Sequence, residues 1–270
     1  MKNRINFVGV SGSGKTTFVN DLICNNDLYC FNDVLKQGLN QFLNDFRFYE
    51  KSFFYRTIYR IHKVHMQLPL RLRSTNFIKV TINLLMIPQY SYIEVAERVN
   101  ELKNLLNDIE CELGIAINHH VRNGLLLSIF NDYLINQSRL DGNILIDEPS
   151  IKAVQTIFAS VADEYDISKY LIRFINILPS ENNVFFINTD LSLISDRLFK
   201  RKGGLPPGSR FNFHKDLIVY LGKEQLVVNK LLKVCELSKI NHTRVDSCND
   251  KETIKSDIQI FINSLKNSSH

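Results

Sequence analysis

The 270 residues are 44% apolar, enough to bury the core of one large domain or of one domain carrying an insertion. A formal charge of +5 and a pI near 8.9 suit an anionic ligand, and no run of Lys and Arg interleaved with aromatics marks a nucleic-acid partner. Five cysteines (Cys24, Cys30, Cys111, Cys235 and Cys248) without a C-x-x-C pair argue against a disulfide framework and predict reduced thiols in a cytoplasmic compartment.

Ile5 to Val10 (INFVGV) is a short apolar run before a glycine loop, the pattern of a buried parallel strand. Its place close to Met1 predicts no signal peptide. Thr16 to Ile23 supplies a helix, and Leu28 to Phe31 a second short strand. From Val34 to about Leu140 the pattern is helical and reads as a long insertion, on the acceptor side of a single domain. Within it, Phe54, Ile58 and Ile61 form an apolar helix face opposite Arg56, Arg60 and Lys63. That basic face is a solvated one, or it meets an anionic acceptor or a membrane surface. The most apolar stretch, Phe77 to Pro88, is interrupted by Lys79, Thr81 and Asn83 and is too short and polar to span a bilayer. Val95, Val99, Leu102, Leu106, Ile109 and Leu113 recur at helical spacing and predict one buried face. His119, His120 and Arg122 precede a helix predicted over Asn123 to Asn136 and are candidates for the acceptor pocket.

Strand signals return at Asn143 to Asp147, Asn183 to Asn188 and His242 to Asp246. Helical patterns follow them from Ile151 onward, over Leu191 to Lys202 and over Glu252 to Leu265, and a further helix fits between His214 and Leu237. Strands alternating with helices predict an α/β fold with a doubly wound parallel sheet.

Gly9-Val10-Ser11-Gly12-Ser13-Gly14-Lys15-Thr16 fits G-x-x-x-x-G-K-S/T at every fixed position. Glycines let the backbone turn tightly, so that successive N–H groups surround a phosphate. The helix that follows adds its positive dipole end. Lys15 is expected to reach the β- and γ-phosphates and the Thr16 hydroxyl to ligate Mg²⁺. Gly9, Ser11, Gly12, Ser13, Gly14, Lys15, Thr16 and Thr17 therefore form the expected nucleotide-binding set. The strand NILID ends in Asp147 and Glu148. Ligands of open α/β sheets sit at the carboxyl ends of strands, so Asp147 is a candidate metal holder. Either carboxylate is a candidate base for an attacking hydroxyl, and the alternative for both is a solvated pair capping the next helix.

After the strand NVFFIN, Thr189 or Asp190 is a good N-cap and Gly203 a good stop. Ile194, Arg197, Leu198 and Arg201 share one face of the intervening helix, which directs both arginines inward. Arginine over a transferring phosphoryl group neutralises its spreading charge, an effect of roughly 10³- to 10⁵-fold in rate. The glycines and prolines from Gly203 to Gly208 suit a hinged loop.

These motifs resemble the P-loop kinase superfamily, whose members include thymidylate, adenylate and deoxynucleoside kinases. The resemblance covers the strand–loop–helix start and the last half of the chain. It implies a fold of the P-loop NTPase type and an ATP- and Mg²⁺-dependent kinase acting on a small acceptor, nucleotide-like or sugar-like. It also implies a lid over about 197–213, in which Arg197, Arg201 and Arg210 take the lid-arginine roles. The Asp-Arg-Tyr type of signature of thymidylate kinases is missing, which argues against a nucleoside monophosphate acceptor. More loosely, the chain is similar to kinase-like proteins of surface-polysaccharide gene clusters, which implies a sugar or lipid-linked acceptor. An ATPase or nucleotide-dependent switch in which Glu148 polarises water is the alternative, with a sulfotransferase behind it.

Overall fold

Among the residues described by the computed structural model (2–23, 28–45, 57, 60–61, 93–138, 142–146, 149–178, 183–200, 214–247 and 251–267), five strands form one sheet. They are β1 (Lys2–Val8), β2 (Leu28–Cys30), β3 (Gly142–Ile146), β4 (Asn183–Asn188) and β5 (Asn241–Asp246). Their order is β2-β3-β1-β4-β5, and every neighbouring pair is parallel. β1 is central: Asn6 pairs with Ile146 of β3 on one side, and Phe7 pairs with Phe185 of β4 on the other.

The helices are α1 (Lys15–Ile23), α2 (Phe31–Asp45), α3 (Ile93–Leu113), α4 (His119–Gln137), α5 (Pro149–Phe158), α6 (Ser168–Ile177), α7 (Leu191–Phe199), α8 (His214–Leu237) and α9 (Lys251–Asn267). They cover both faces of the sheet. Alternate residues Ile5, Phe7, Leu145, Phe185, Ile187 and Val245 meet α1 and α9 on one face. Val8, Val184 and Phe186 meet the helices of the opposite layer, and Ile144 and Ile146 meet α2 and α4. Strands enclosed on both sides need apolar residues at successive positions, which is why β3 and β4 read as continuous runs. β5 lies at the edge, and only Val245 in it is buried.

A buried ion cluster ties the helical layer to β1. Asp132 of α4 pairs with Arg4 and, at 3.2 Å, with Arg98 of α3. Arg98 also donates from Nε and Nη2 to the Ile177 carbonyl at the end of α6, at 3.1 and 3.0 Å. Burial, then the Arg98 charge, pull the Arg4 guanidinium down to about 10, which leaves it protonated at neutral pH.

The predicted face of α3 is met in full, with Val95, Val99, Leu102, Leu106, Ile109 and Leu113 all buried. Other expectations need correction. β1 starts earlier, at Lys2, and ends at Val8, because Gly9 already turns into the loop. α4 starts at His119, since the Asn118 side chain caps it by accepting the His120 N–H at 2.8 Å; both histidines are thus helical and exposed. α5 begins at Pro149, whose fixed φ suits the first helical position. α7 stops at Phe199, short of Lys202, and is capped by Lys200. Ile61 is 49% exposed, so the burial expected of it is not met. Phe54, Arg56, Ile58 and Lys63 of that helix face lie outside the described residues, as does Phe77 to Pro88. No helix among the described residues is long and apolar enough to cross a membrane.

Candidate functional site

β1 is the point at which the sheet's connections diverge: the chain leaves it for β2 and β3 on one side, while β4 leads to β5 on the other. In open α/β sheets the crevice at the carboxyl ends beside such a strand is where ligands bind. The residues in that crevice are Gly9 to Lys15, which bend from β1 into α1.

The bend requires its glycines. Gly12 and Gly14 adopt φ of +84° and +93°, where a side chain is strained. A Cβ at Gly9 would lie 2.7 Å from the Ile187 carbonyl oxygen of β4, so the loop leaves the sheet only because that position is bare. A Cβ at Gly12 would meet Ile194 and Leu198 of α7, each at 3.0 Å. The loop is closed by the Ser13 N–H donating to the Val10 carbonyl at 3.1 Å, and α1 begins as the Phe18 N–H donates to the Gly14 carbonyl.

Lys15 is buried, and its ammonium donates to the loop's own carbonyls, at 3.0 Å to Gly9 and 3.1 Å to Val10. Thr16 and Thr17 are exposed at the positive end of α1. Thr189, after β4, donates from Oγ1 to the Ser13 carbonyl at 3.4 Å and lies 2.6 Å from the Ser247 hydroxyl after β5. The ends of β1, β4 and β5 are thereby joined by side chains around the loop. A cleft of about 610 Å³ opens there, lined by Gly12 to Phe18, Arg197, Leu198, Ser247 and Ile254.

Arg197 lines this cleft with Lys15 and Thr16; its side chain is exposed, whereas Ile194 and Leu198 of the same helix face are buried. Asp190 is the N-cap of α7, accepting the N–H groups of Ser192 and Leu193 at 2.9 and 3.2 Å. Those bonds, with the Ser192 hydroxyl, hold its carboxyl below the usual range. The sequence-derived candidates Asp147, Glu148, Arg201 and Arg210 lie outside the described residues.

A second group of side chains at the loop was not anticipated from sequence. Glu224 of α8 is fully buried, and its carboxylate accepts the Ser11 N–H at 3.0 Å and the Ser11 hydroxyl at 3.3 Å. The Lys152 ammonium of α5 donates to both the Ser11 hydroxyl and the Glu224 carboxylate. Burial pushes the Glu224 carboxyl up. The Lys152 charge and hydrogen bond, the Ser11 amide and the Tyr220 hydroxyl more than offset that and hold it below the usual glutamate range. Burial, then the Glu224 charge, push the Tyr220 hydroxyl up. One turn after Lys152, the Gln155 amide donates to the Gly9 carbonyl at 3.4 Å, while its buried Oε1 has no partner. A buried acceptor left without a donor costs about 1–3 kcal/mol.

The signal that could have found these residues is a polar side chain inside an apolar stripe. Glu224 stands among Leu217, Leu221, Val228 and Leu231, and Gln155 among Ile151, Val154 and Phe158. Buried polar groups in such positions are held by partners, and the partners here belong to the loop from Gly9 to Lys15.

No protein-family model matches the chain, and none of the curated proteins matches it.

Proposed function

We propose that the chain is an ATP- and Mg²⁺-dependent phosphotransferase of the P-loop kinase type, acting on a small anionic or hydroxylated acceptor. The observation that carries this reading is the Gly9–Thr17 loop at the carboxyl end of the central strand, facing the cleft that Arg197 also lines. The loop residues fit a polyphosphate. Two glycines hold positive φ, a third is pressed against β4, and a cation and a helix N-terminus converge on the turn. The cleft volume is in the range of about 300–1,000 Å³ usual for small-molecule sites.

In this reading the loop amides and Lys15 bind the phosphates, and Thr16 with Asp147 would hold the magnesium ion. Bound there, the ion supplies positive charge against the phosphate oxygens. The acceptor hydroxyl attacks the terminal phosphorus as the bond to the bridging oxygen breaks. The hydroxyl proton passes to Asp147 or Glu148, by the role that strand-end carboxylates have in the kinases the sequence resembles. Arg197 stabilises the charge spreading over the moving group.

The reading is tested by calorimetric titration with ATP and magnesium, alongside transfer of labelled phosphate to fractionated small metabolites. Lys15→Ala should weaken ATP binding by about tenfold or more, the scale of a lost charge-assisted hydrogen bond. Unchanged affinity in a folded Lys15→Ala variant overturns the site. Label transfer that depends on an added acceptor supports a kinase, whereas hydrolysis indifferent to acceptors points to an ATPase.

A further inference from the structure

Ser11 and Thr17 stand at opposite ends of the loop. The cleft is lined by Gly12 to Phe18, Arg197, Leu198, Ser247 and Ile254, so it opens along the part of the loop that runs into α1. In the reading of the loop given above, a triphosphate held from that cleft would extend its terminal phosphate towards the start of the turn, where Ser11 meets Lys152 of α5 and Glu224 of α8. That end carries the Lys152–Glu224 pair.

Glu224 has 0% exposed side chain, while Lys152 keeps 33%. The arrangement is asymmetric: a sealed carboxylate on the inside and an accessible ammonium on the outside. A carboxylate removed from water is tolerated only with partners, and Glu224 has Lys152, the Ser11 amide, the Ser11 hydroxyl and the Tyr220 hydroxyl around it. An ammonium has three donors. Two of those on Lys152 go to Ser11 and Glu224, and the third has no acceptor among the described residues. Simple packing would put apolar side chains under the turn. A cation fixed by a buried carboxylate, with a donor left over, is instead built to hold an anion.

Resting on the reading of the loop given above, we propose that Lys152 is a substrate-contacting cation that binds the terminal phosphoryl group of the nucleoside triphosphate, with Glu224 as its positioning residue. The ammonium then distinguishes triphosphate from diphosphate, releasing its hold on the nucleotide once the phosphoryl group has left. Lys15 is distinct in role: it is folded onto Gly9 and Val10 inside the turn and serves both nucleotides.

The test compares ATP with ADP, each with magnesium, by calorimetric titration of the full chain. Lys152→Ala leaves Glu224 buried without its cation and is liable to unfold, so Lys152→Ala combined with Glu224→Gln is measured beside it; the Gln oxygen still accepts the Ser11 N–H. Folding of each variant is followed by circular dichroism. The proposal expects the paired variant to lose about tenfold or more in ATP affinity, with ADP affinity within about twofold of wild type. It expects Lys152→Arg to restore most of the preference for ATP. A structural role would lower the melting temperature, or weaken both nucleotides alike, and leave the ATP-to-ADP ratio where it was. An unchanged ratio in the folded paired variant overturns the assignment of Lys152 while leaving the loop intact. Failure of the wild-type chain to bind either nucleotide overturns both.

Discussion

Glu224 is a carboxylate that the fold has taken out of water and then supplied with a cation, an amide and a phenol. Its folded pKa lies below the usual value, so the unfolded chain takes up its proton first as pH falls. The stability that Glu224 contributes is therefore complete above the unfolded pKa of about 4.3 and is lost as pH drops through the lower folded value. Urea unfolding of wild type and Glu224→Gln across this window should show a gap in midpoint that is wide near neutrality and narrows on acidification. A gap independent of pH would contradict the ionised state assigned to Glu224. At this scale the loop itself was legible, because glycine spacing and Lys15 fall within eight consecutive residues and obey a local geometric rule. Ser11, Lys152 and Glu224 obey no such rule. They are separated by up to 213 positions, and only the tertiary fold brings them together. Asp147 and Glu148 read in the sequence as two carboxylates at a strand end; β3 is described as far as Ile146, and both lie outside the described residues.

Among the elements, α2 and α4 approach each other at Gly38 so closely that a Cβ there would sit 1.9 Å from the Leu134 carbonyl oxygen. That oxygen is backbone within a helix and has no rotamer by which to yield. Gly38→Ala should force the helices apart, with a loss of stability of about 1–3 kcal/mol or more, read as a lowered denaturant midpoint. A wild-type midpoint would mean that the two helices pack less tightly than described. Sequence reading places α3 well because six residues at helical spacing name its buried face, and every one of them is buried. It does not separate α6, whose N-cap Ile167 has no side-chain cap; the residue before it, Asp166, accepts the Ser168 N–H at 3.0 Å instead. Nor does it see the role of Gly38. A glycine in a helical stretch reads as a defect until the neighbouring helix is in place.

For the whole molecule, the sheet order sets where stability is concentrated. β1 and β4 are paired on both edges and covered on both faces, whereas β5 is at the margin and has one buried residue. Hydrogen exchange followed by mass spectrometry should find the slowest amides in β1 and β4, around Phe7 and Phe185, and faster ones in Asn241–Asp246. The reverse order would argue against a central β1. The alternation of strand and helix predicted parallel pairing, but the order of the strands was not readable, since no run of residues records its lateral neighbour.

That order carries a consequence for biosynthesis. β1 leaves the ribosome before the other strands of the sheet, yet the partner on its far side is supplied by residues such as Asn183, 179 positions after Arg4. At ordinary translation speeds of about 5–20 residues per second, the earliest strand waits on the order of ten to forty seconds with an apolar, unpaired edge. That unpaired edge is thus a natural client for holdase chaperones, and the contacts that hold Ser11 cannot be complete until Glu224 of α8 has emerged.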